Sequence, residues 1–306
     1  LRRQRQMCIR DSVNTSTERN IKLTAFKECP KYLGRVIENV DATVKPPLWL
    51  TEKLRRSGVR SINIIVDITN FVMLELGQPM HAFDNDFLHG DIEVRLSKSG
   101  EKIKLLDESH VDLKSGTLLI TDESGPIAMA GVMGGFESAV NLTTANIFLE
   151  SAFFTPNFIS GEARQYGLHT ESSHRFERGV DPELQAKAIE RATQLVIKTC
   201  GGEAGRITEV LKNEELPKNS QVILRKSQIK RILGIEFENQ FVTETFINLE
   251  MQCHYEKNKW ITVAPSHRFD INIEVDLIEE LARIYSYDAI PAVSYTHLRA
   301  HETDSY

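Results

Sequence analysis

The sequence lacks a long apolar run. Its most apolar stretch, residues 62–77, is interrupted by Asp67, Asn70 and Glu75, whereas a membrane-spanning helix needs roughly 18 consecutive apolar residues. Internal repeats and low-complexity tracts are absent too. A membrane-inserted protein is therefore not expected, and no membrane partner is predicted.

Cysteine is scarce. The four cysteines in 306 residues show neither C-x-x-C nor Cys/His ligand spacing. This pattern is typical of reduced thiols in a cytosolic protein and indicates neither a disulfide framework nor a zinc site. Residues 13–292 also lack the H-x-x-x-H spacing of a metal site and the G-x-S-x-G turn of many serine hydrolases.

The two ends differ from the rest of the chain. Residues 1–12 (LRRQRQMCIRDS) and 293–306 (VSYTHLRAHETDSY) resemble translated sequencing adapter and lack the apolar core of a signal peptide. We exclude them from the fold, with Cys8, His297 and His301, and expect them to be disordered. The net charge of −6 argues against sequence-independent binding of nucleic acid over the whole surface. Local basic clusters remain at residues 53–60 and 225–231.

Hydrophobic periodicity predicts an α+β chain of two domains. Residues 13–27 form the tail of a preceding domain, residues 28–212 form a first domain with a mixed sheet, and residues 213–292 form a small second domain. The first is predicted to contain these elements: an extended segment at 32–40, a short helix from Pro46-Pro47 to Gly58, a buried strand at 62–67, strands throughout 92–150, and a helix from Asp181-Pro182 to Gly201-Gly202.

The segment NEELPKN (213–219) is polar, contains proline and is predicted to be a linker. A strand, two helices, a β-hairpin and a last helix are predicted beyond it. Two helices followed by a hairpin favour a winged-helix-like module.

Three segments are rich in groups that bind ligands. DITNFVMLELGQPMHAFD (67–84) places His81 after a glycine- and proline-bearing turn, AMAGVMGG (128–135) lets a ligand approach the backbone closely, and YGLHTESSHRFERGVDP (166–182) concentrates polar side chains in a predicted loop. Each has a plainer interpretation: a structural histidine in a turn, a tight turn or bulge, and a solvated loop. Spacing alone specifies no reaction.

The longer motifs resemble a known family. The runs RSINIIVDITNFVMLELGQPMHAFD (60–84), AMAGVMGG (128–135), LESAFF (149–154) and GLHTESSHRFERGVDP (167–182) resemble the proofreading domain of the β subunit of bacterial phenylalanyl-tRNA synthetases, in the same order and at matching spacing. RFDINIEVDLIEELARIYSYDAIP (268–291) is similar to the domain that follows it. The resemblance covers residues 13–292.

The resemblance implies hydrolysis of mischarged tyrosyl-tRNA(Phe), as in double-sieve editing. It implies that Glu150, expected at a strand end, accepts the phenol of tyrosine, and that His81 is a possible general base. The other implied pocket residues shape the wall or place the substrate: Arg60, Asn70, Pro79, Gly134, Thr170 and Ser172. No triad is visible, so a positioned water is expected to attack the ester. The family often has a smaller residue at the position of Ser172.

The last predicted helix carries closely spaced carboxylates. Asp276, Glu279 and Glu280 share one face, and Asp270 precedes the helix. Spacing alone favours an ordinary solvated acidic face, whereas the family resemblance implies that these four residues bind Mg²⁺.

The resemblance further implies an α subunit as partner in an (αβ)₂ assembly in the cytoplasm, with ATP used at the α subunit. Two alternatives remain open. One is an RNA-binding scaffold whose editing pocket is inactive, and the other is a free-standing trans-editing or metal-dependent hydrolase.

Overall fold

The computed structural model describes residues 14–219 and 221–291. The end segments 1–12 and 293–306 lie outside these residues. Contacts divide the chain into two compact units, with the boundary after Pro217, inside the segment predicted to be a linker. No helix in the described part of the chain is both long and apolar enough to cross a membrane.

The first unit combines three sheets with helices. In chain order its elements are β1 (Ile21–Leu23), β2 (Lys31–Glu38), α1 (Leu48–Arg56), α2 (Ile64–Leu76), β3 (His81–Asp84), β4 (Ile92–Leu96), β5 (Lys102–Lys104), β6 (His110–Asp112), β7 (Leu118–Asp122), β8 (Gly125–Met129), β9 (Met133–Gly134), β10 (Ile147–Phe153), α3 (Pro156–Ile159), α4 (Glu162–Gln165), α5 (Glu171–Arg178), α6 (Gln185–Cys200) and β11 (Glu203–Leu211).

Two of the sheets face each other across a core. The antiparallel sheet has the strand order β11-β2-β10-β3, and the larger one the order β1-β4-β7-β8-β9. In the larger sheet β1 pairs parallel to β4 while its other pairs are antiparallel, which confirms the predicted mixed sheet. Strands β5 and β6 form a separate hairpin. The α+β class is confirmed.

The central strands β2 and β10 are buried on both faces. One face, which includes Leu33 and Leu149, packs against α1, α2 and α6. The opposite face, which includes Tyr32 and Phe148, packs against the five-stranded sheet. Because side chains alternate along a strand, this arrangement places two apolar layers back to back.

The strand predicted at residues 62–67 is wrong, because the helix α2 begins there. Asn63 caps it, with Oδ1 accepting a hydrogen bond from the Val66 N–H at 2.9 Å, and Gly77 ends it in the left-handed conformation at φ 82°. Asn63 is a preferred N-cap type. The buried positions recur at helical spacing: Ile64, Ile65, Ile68, Phe71 and Val72. Capping and packing therefore override the β propensity of the Ile-Ile-Val run.

Two other predictions near residues 166–182 are also wrong. The predicted loop contains α5, which begins after Thr170 through a reciprocal hydrogen-bonded cap with Ser173. The helix expected to start at Asp181-Pro182 begins later, at Gln185. Asp181 forms a turn instead, because its Oδ1 accepts from the Glu183 N–H at 2.9 Å.

The second unit has the predicted order of elements. It consists of β12 (Gln221–Arg225), α7 (Lys226–Leu233), α8 (Asn239–Asn248), β13 (Gln252–Glu256), β14 (Lys259–Val263) and α9 (Glu274–Tyr285). Its antiparallel sheet has the order β12-β14-β13. Trp260 is fully buried at the centre of this unit's core, with Phe246 and Leu277, and its indole N–H donates to Thr243 Oγ1 at 3.0 Å.

Candidate active site

A cavity of about 550 Å³ opens in the first unit beside the edge strand β3. Its wall is built from α2, the start of β3, the β8–β9 turn, the centre of β10 and the N-terminus of α5. The structure thereby brings together seven residues that the sequence predicts for one pocket: Asn70, Pro79, His81, Gly134, Glu150, Thr170 and Ser172.

Glu150 lies at the centre of β10, so the prediction that it ends a strand is wrong. It is only 6% exposed, and its Oε2 atom has no hydrogen-bond partner among the described residues. Burial raises the pKa of Glu150 to about 8, an effect that the neighbouring Tyr32 phenol partly offsets. Glu150 is therefore largely protonated at neutral pH and offers the cavity both an acceptor and a donor.

His81 lies beside Glu150 on the adjacent strand β3. It begins β3, rather than lying in a turn, and is directly paired with Glu150 in the antiparallel register. Side chains of such a pair project to the same face. The ring packs edge-on against Phe83, with centroids 4.4 Å apart, and its Nε2 is buried without a partner in the described structure. Burial lowers the pKa of His81 to about 4, so the imidazole is neutral near pH 7.

Gly134 leaves the space that the His81 ring occupies. A Cβ atom on Gly134 would lie 2.5 Å from His81 Cε1 and 2.6 Å from Nε2, distances that real Cβ atoms do not adopt. The preceding turn contains Gly131 at φ 71°, and Ala128 pairs with Gly134 in the β8–β9 hairpin. The segment AMAGVMGG is thus both a tight turn and a cavity wall.

Thr170 and Ser172 join the N-terminus of α5 to this turn. Thr170 Oγ1 lies 2.9 Å from the Val132 carbonyl oxygen, to which it donates, and Ser172 Oγ donates to the Gly131 carbonyl oxygen at 3.1 Å. Because both hydroxyls are held by the backbone, their observed role is to shape the wall. Neither is poised as a nucleophile.

Arg60 is not brought to the cavity with the other predicted residues. Arg60 is exposed, precedes α2, and is not among the residues that line the cavity. A contact between Arg60 and a substrate that extends from the cavity stays a prediction.

Two buried glutamines at the site were not predicted. Gln78 Nε2 donates to the carbonyl oxygens of Pro79 and Ala152, both at 2.9 Å, and Gln185 Nε2 donates to Gln78 Oε1 at 2.9 Å. This chain of hydrogen bonds fixes the entry to β3 and hence His81. Gln78 lies inside the quoted motif 67–84, but nothing in its spacing indicates a buried amide.

The four predicted magnesium ligands do not converge. Among residues 14–219 and 221–291 no three His, Cys, Asp or Glu residues are grouped so that they could hold a metal ion. Arg268 forms ion pairs with Asp270 at 2.7 Å and Glu280 at 3.0 Å, and it holds the pKa of Asp270 below its usual range. Asp276 accepts from the Ile273 N–H at 2.9 Å.

The arrangement of these carboxylates therefore does not fit the predicted Mg²⁺ site, and we derive no reaction step through the metal. Glu279, the fourth residue of the set, lies on α9. The magnesium expectation remains a prediction from the family resemblance.

Arg268→Ala is expected to raise the affinity of the chain for Mg²⁺. The substitution frees Asp270 and leaves Arg283 as the remaining ion-pair partner of Glu280, so less positive charge opposes a bound cation. Isothermal titration with MgCl₂ measures the affinity. Arg225→Ala is the matched control. Arg225 forms an ion pair at 2.6 Å with Glu274, which lies on α9 but is not one of the four predicted magnesium ligands. Equal affinity in the wild-type and Arg268→Ala chains would contradict this expectation.

The wild-type chain is expected to become less stable as pH rises towards 8, and Glu150→Gln is expected to abolish this pH dependence. Glu150 has a raised pKa in the folded chain, so its contribution to stability is complete below its ordinary pKa of 4.5 and is lost as pH rises to about 8. The expected slope is on the order of 1.4 kcal/mol per pH unit. Urea unfolding of both chains at several pH values measures the difference.

The interval between pH 6.5 and 8 isolates this effect. His81 has a lowered pKa, so its contribution is present above 6.5 and is lost as pH falls towards 4. Both the wild-type and Glu150→Gln chains contain His81, so its contribution also cancels from the difference between them. Parallel curves for the two chains between pH 6.5 and 8 would show that Glu150 ionises normally.

Comparisons with known proteins identify the family of most of the chain. A family model described as "B3/4 domain" matches residues 28–201, and another described as "tRNA synthetase B5 domain" matches residues 222–287. The first match covers more than half of the chain. The chain therefore belongs to the B3/4 domain family.

Curated relatives of the chain are β subunits of phenylalanine–tRNA ligases. The phenylalanine–tRNA ligase β subunit of Idiomarina loihiensis is 54% identical over 273 residues, which are 89% of this chain and 34% of that protein. That of Pasteurella multocida is 52% identical over 284 residues, 92% of this chain and 36% of its own length. The chain corresponds to part of a phenylalanine–tRNA ligase β subunit and spans about a third of the relatives' length, which confirms the predicted resemblance.

A solved structure gives a weaker match. An N-terminal fragment of the phenylalanyl-tRNA synthetase β subunit from Pyrococcus horikoshii has a TM-score of 0.42 and 12% identity, covering 89% of this chain and 76% of that one. A similarity this weak adds nothing to the assignment.

Proposed function

We propose that the cavity is a proofreading site that hydrolyses tyrosyl-tRNA(Phe). The observation that carries the proposal is the Glu150 carboxyl, buried at the cavity wall with an oxygen that lacks a partner. A tyrosine phenol would supply a partner, whereas phenylalanine would leave the polar group buried and unpaired. A site built to bind a hydroxyl rejects the analogue without it by a large factor.

The size of the cavity suits this substrate. At about 550 Å³ it falls within the range of small-molecule sites, and it is large enough for an aromatic amino acid with part of an attached ribose. Gly134 keeps the ring of His81 from being displaced into that space. The amino-acid side chain would lie towards Glu150, and the ester would lie towards the opening.

The hydrolysis itself would use a positioned water. The neutral His81 would accept a hydrogen bond from this water at Nε2, which has no partner in the described structure, and would thereby orient it, but its lowered pKa makes it a weak base. The N-terminus of α5 supports the developing negative charge of the ester, because the positive end of a helix dipole favours an anion. The terminal ribose hydroxyls of the tRNA are further candidates to assist.

For the complete protein we propose the role implied by its relatives' names. The chain would belong to a β subunit that binds tRNA and works with an α subunit in an (αβ)₂ assembly in the cytoplasm. ATP-dependent attachment of phenylalanine to tRNA(Phe) would take place at the α subunit, and Mg²⁺ would be required by the complete complex. The names of the relatives and the family motifs support this role.

The first experiment is deacylation of tyrosyl-tRNA(Phe) by the chain, with phenylalanyl-tRNA(Phe) as control. The proposal predicts hydrolysis of the tyrosyl ester at a rate well above that of the phenylalanyl ester. If the isolated chain is inactive, the same segment is placed in a complete α/β enzyme and the assay is repeated. Absence of tyrosine-selective hydrolysis there would leave an RNA-binding scaffold as the better account.

A further inference from the structure

Tyr32, on the strand next to Glu150, is fully buried beside the cavity. In the register of β2 and β10, Glu150 pairs with Gly34 and Ala152 pairs with Tyr32. Tyr32 and Glu150 are therefore diagonal neighbours on one face of the sheet, a separation that an aromatic side chain can span. Because Gly34 stands opposite Glu150, no side chain of β2 separates the phenol from the carboxyl.

Tyr32 Oη and Glu150 Oε2 are both buried polar atoms, and neither makes a hydrogen bond of normal distance and angle with any described residue. The two groups nevertheless interact: after burial, Glu150 is the main cause that raises the pKa of Tyr32. Buried polar groups without partners are costly, so a small adjustment that lets the phenol donate to the carboxyl is favourable.

We propose that Tyr32 is a positioning residue that holds one oxygen of the Glu150 carboxyl, so that the other is directed at the phenol of a bound substrate. The inference rests on the proposed function, since it explains how one carboxyl distinguishes tyrosine from phenylalanine. Tyr32 would not touch the substrate. It would limit the carboxyl to one orientation and leave one oxygen for the incoming hydroxyl.

Few other ionisable groups face Glu150. His81 pairs with it from β3, and the fully buried Cys29 precedes β2, where Glu150 contributes to raising the pKa of its thiol. Asp107 and Glu171 line other parts of the cavity, and Glu171 is paired with Arg175. Tyr32 is the residue of β2 that carries a hydroxyl on the same sheet face as Glu150.

Tyr32→Phe tests this role because it removes only the hydroxyl. The ratio of tyrosyl-tRNA(Phe) to phenylalanyl-tRNA(Phe) hydrolysis is expected to fall about tenfold, with the phenylalanyl rate unchanged. Tyr166→Phe is the matched control: that phenol lies within 2.7 Å of Thr117 Oγ1 in the same unit but outside the cavity wall. In a Glu150→Gln background, the Tyr32→Phe change is expected to lower the ratio by a smaller factor.

A second measurement does not depend on tRNA. Unfolding of the wild-type, Tyr32→Phe and Tyr166→Phe chains as a function of pH reports the ionisation of Glu150. Loss of the Tyr32 hydroxyl should move the upper end of the pH dependence to higher pH, and Tyr166→Phe should leave it in place. An unchanged pH dependence in Tyr32→Phe would overturn the inference, whatever the hydrolysis assay shows. A shifted dependence together with no tyrosine-selective hydrolysis, in the chain or in the complete α/β enzyme, would support the contact and reject the proofreading function.

Discussion

Glu150→Ala is expected to reduce hydrolysis of tyrosyl-tRNA(Phe) by roughly 10²- to 10³-fold, the range found when a critical polar contact of a reacting complex is removed. Glu150 is the buried carboxyl of the cavity wall, and its Oε2 has no other partner in the described structure. Without it, the tyrosine phenol would be buried without a hydrogen bond. The rate constant is measured with labelled tyrosyl-tRNA(Phe) under single-turnover conditions.

A second variant, Glu150→Gln, tests whether the charge of the carboxyl is needed, and Glu183→Ala is its control. Because Glu150 is largely protonated at neutral pH, Glu150→Gln has a similar shape and hydrogen-bonding capacity and is expected to stay within about tenfold of the wild type. Glu183→Ala, at an exposed glutamate before α6, should have no effect. A Glu150→Gln variant as inactive as Glu150→Ala would mean that the ionised carboxylate is the active form.

Gly134→Ala is expected to reduce the rate of hydrolysis about 10²-fold, because the added methyl group would collide with the His81 ring. Its Cβ would meet the His81 ring at 2.5 Å, and a displaced ring fills the space that the substrate needs. Misplacement of a site group by about 1 Å is enough for a loss of this size. Overpacking should also lower the free energy of unfolding by about 1–3 kcal/mol. Deacylation and urea unfolding of the same preparation measure both effects.

The neighbouring Gly135→Ala is the matched control for this overpacking. A Cβ there would lie 2.5 Å from the carbonyl oxygen of Ile127, away from His81, so stability should fall while the folded fraction keeps its activity. If Gly134→Ala hydrolyses tyrosyl-tRNA(Phe) normally, the cavity is not the place where the ester binds.

The sequence predicted the α+β class and most of the cavity wall, but for different reasons. Alternation and turn residues indicate the strands from β4 to β10, and the order of elements in the second unit follows from the same patterns. The pocket residues were predicted through family motifs, since spacing does not show that Gly134, His81 and Glu150 meet. They meet because β10 pairs with β3 and because the β8–β9 turn reaches the same edge.

The parts that could not be predicted depend on long-range contacts. The Ile-Ile-Val run of α2 has the composition of a strand, and Asn63 decides for a helix only together with the core on which α2 packs. The expectation that Glu150 ends a strand comes from the family resemblance, and the sequence does not show that β10 continues beyond Glu150 to Phe153. Tyr32 carries no signal at all, since its relation to Glu150 arises from the register of two strands far apart in sequence.

The predicted magnesium residues show the limit of carboxylate spacing. Asp276, Glu279 and Glu280 do follow one another on α9, as expected. Spacing along one helix does not reveal Arg268, which precedes that helix and pairs with Glu280 from outside it. A neighbouring arginine satisfies the same charges that would otherwise attract a cation.

The burial of β10 on both faces has a consequence for how the site moves. Its backbone is hydrogen-bonded to β2 on one side and β3 on the other, so the amide hydrogens around Glu150 should exchange with solvent only when the first unit unfolds as a whole. The carboxyl that recognises the substrate would then lie in the most rigid part of the molecule. Any opening needed to admit an aminoacyl end is expected in wall residues outside this sheet, among them Leu106 and Asp107 between β5 and β6 and the N-terminus of α5. The sheet that contains Glu150 would determine which amino acid is recognised, and the wall elements outside that sheet would determine how the substrate enters.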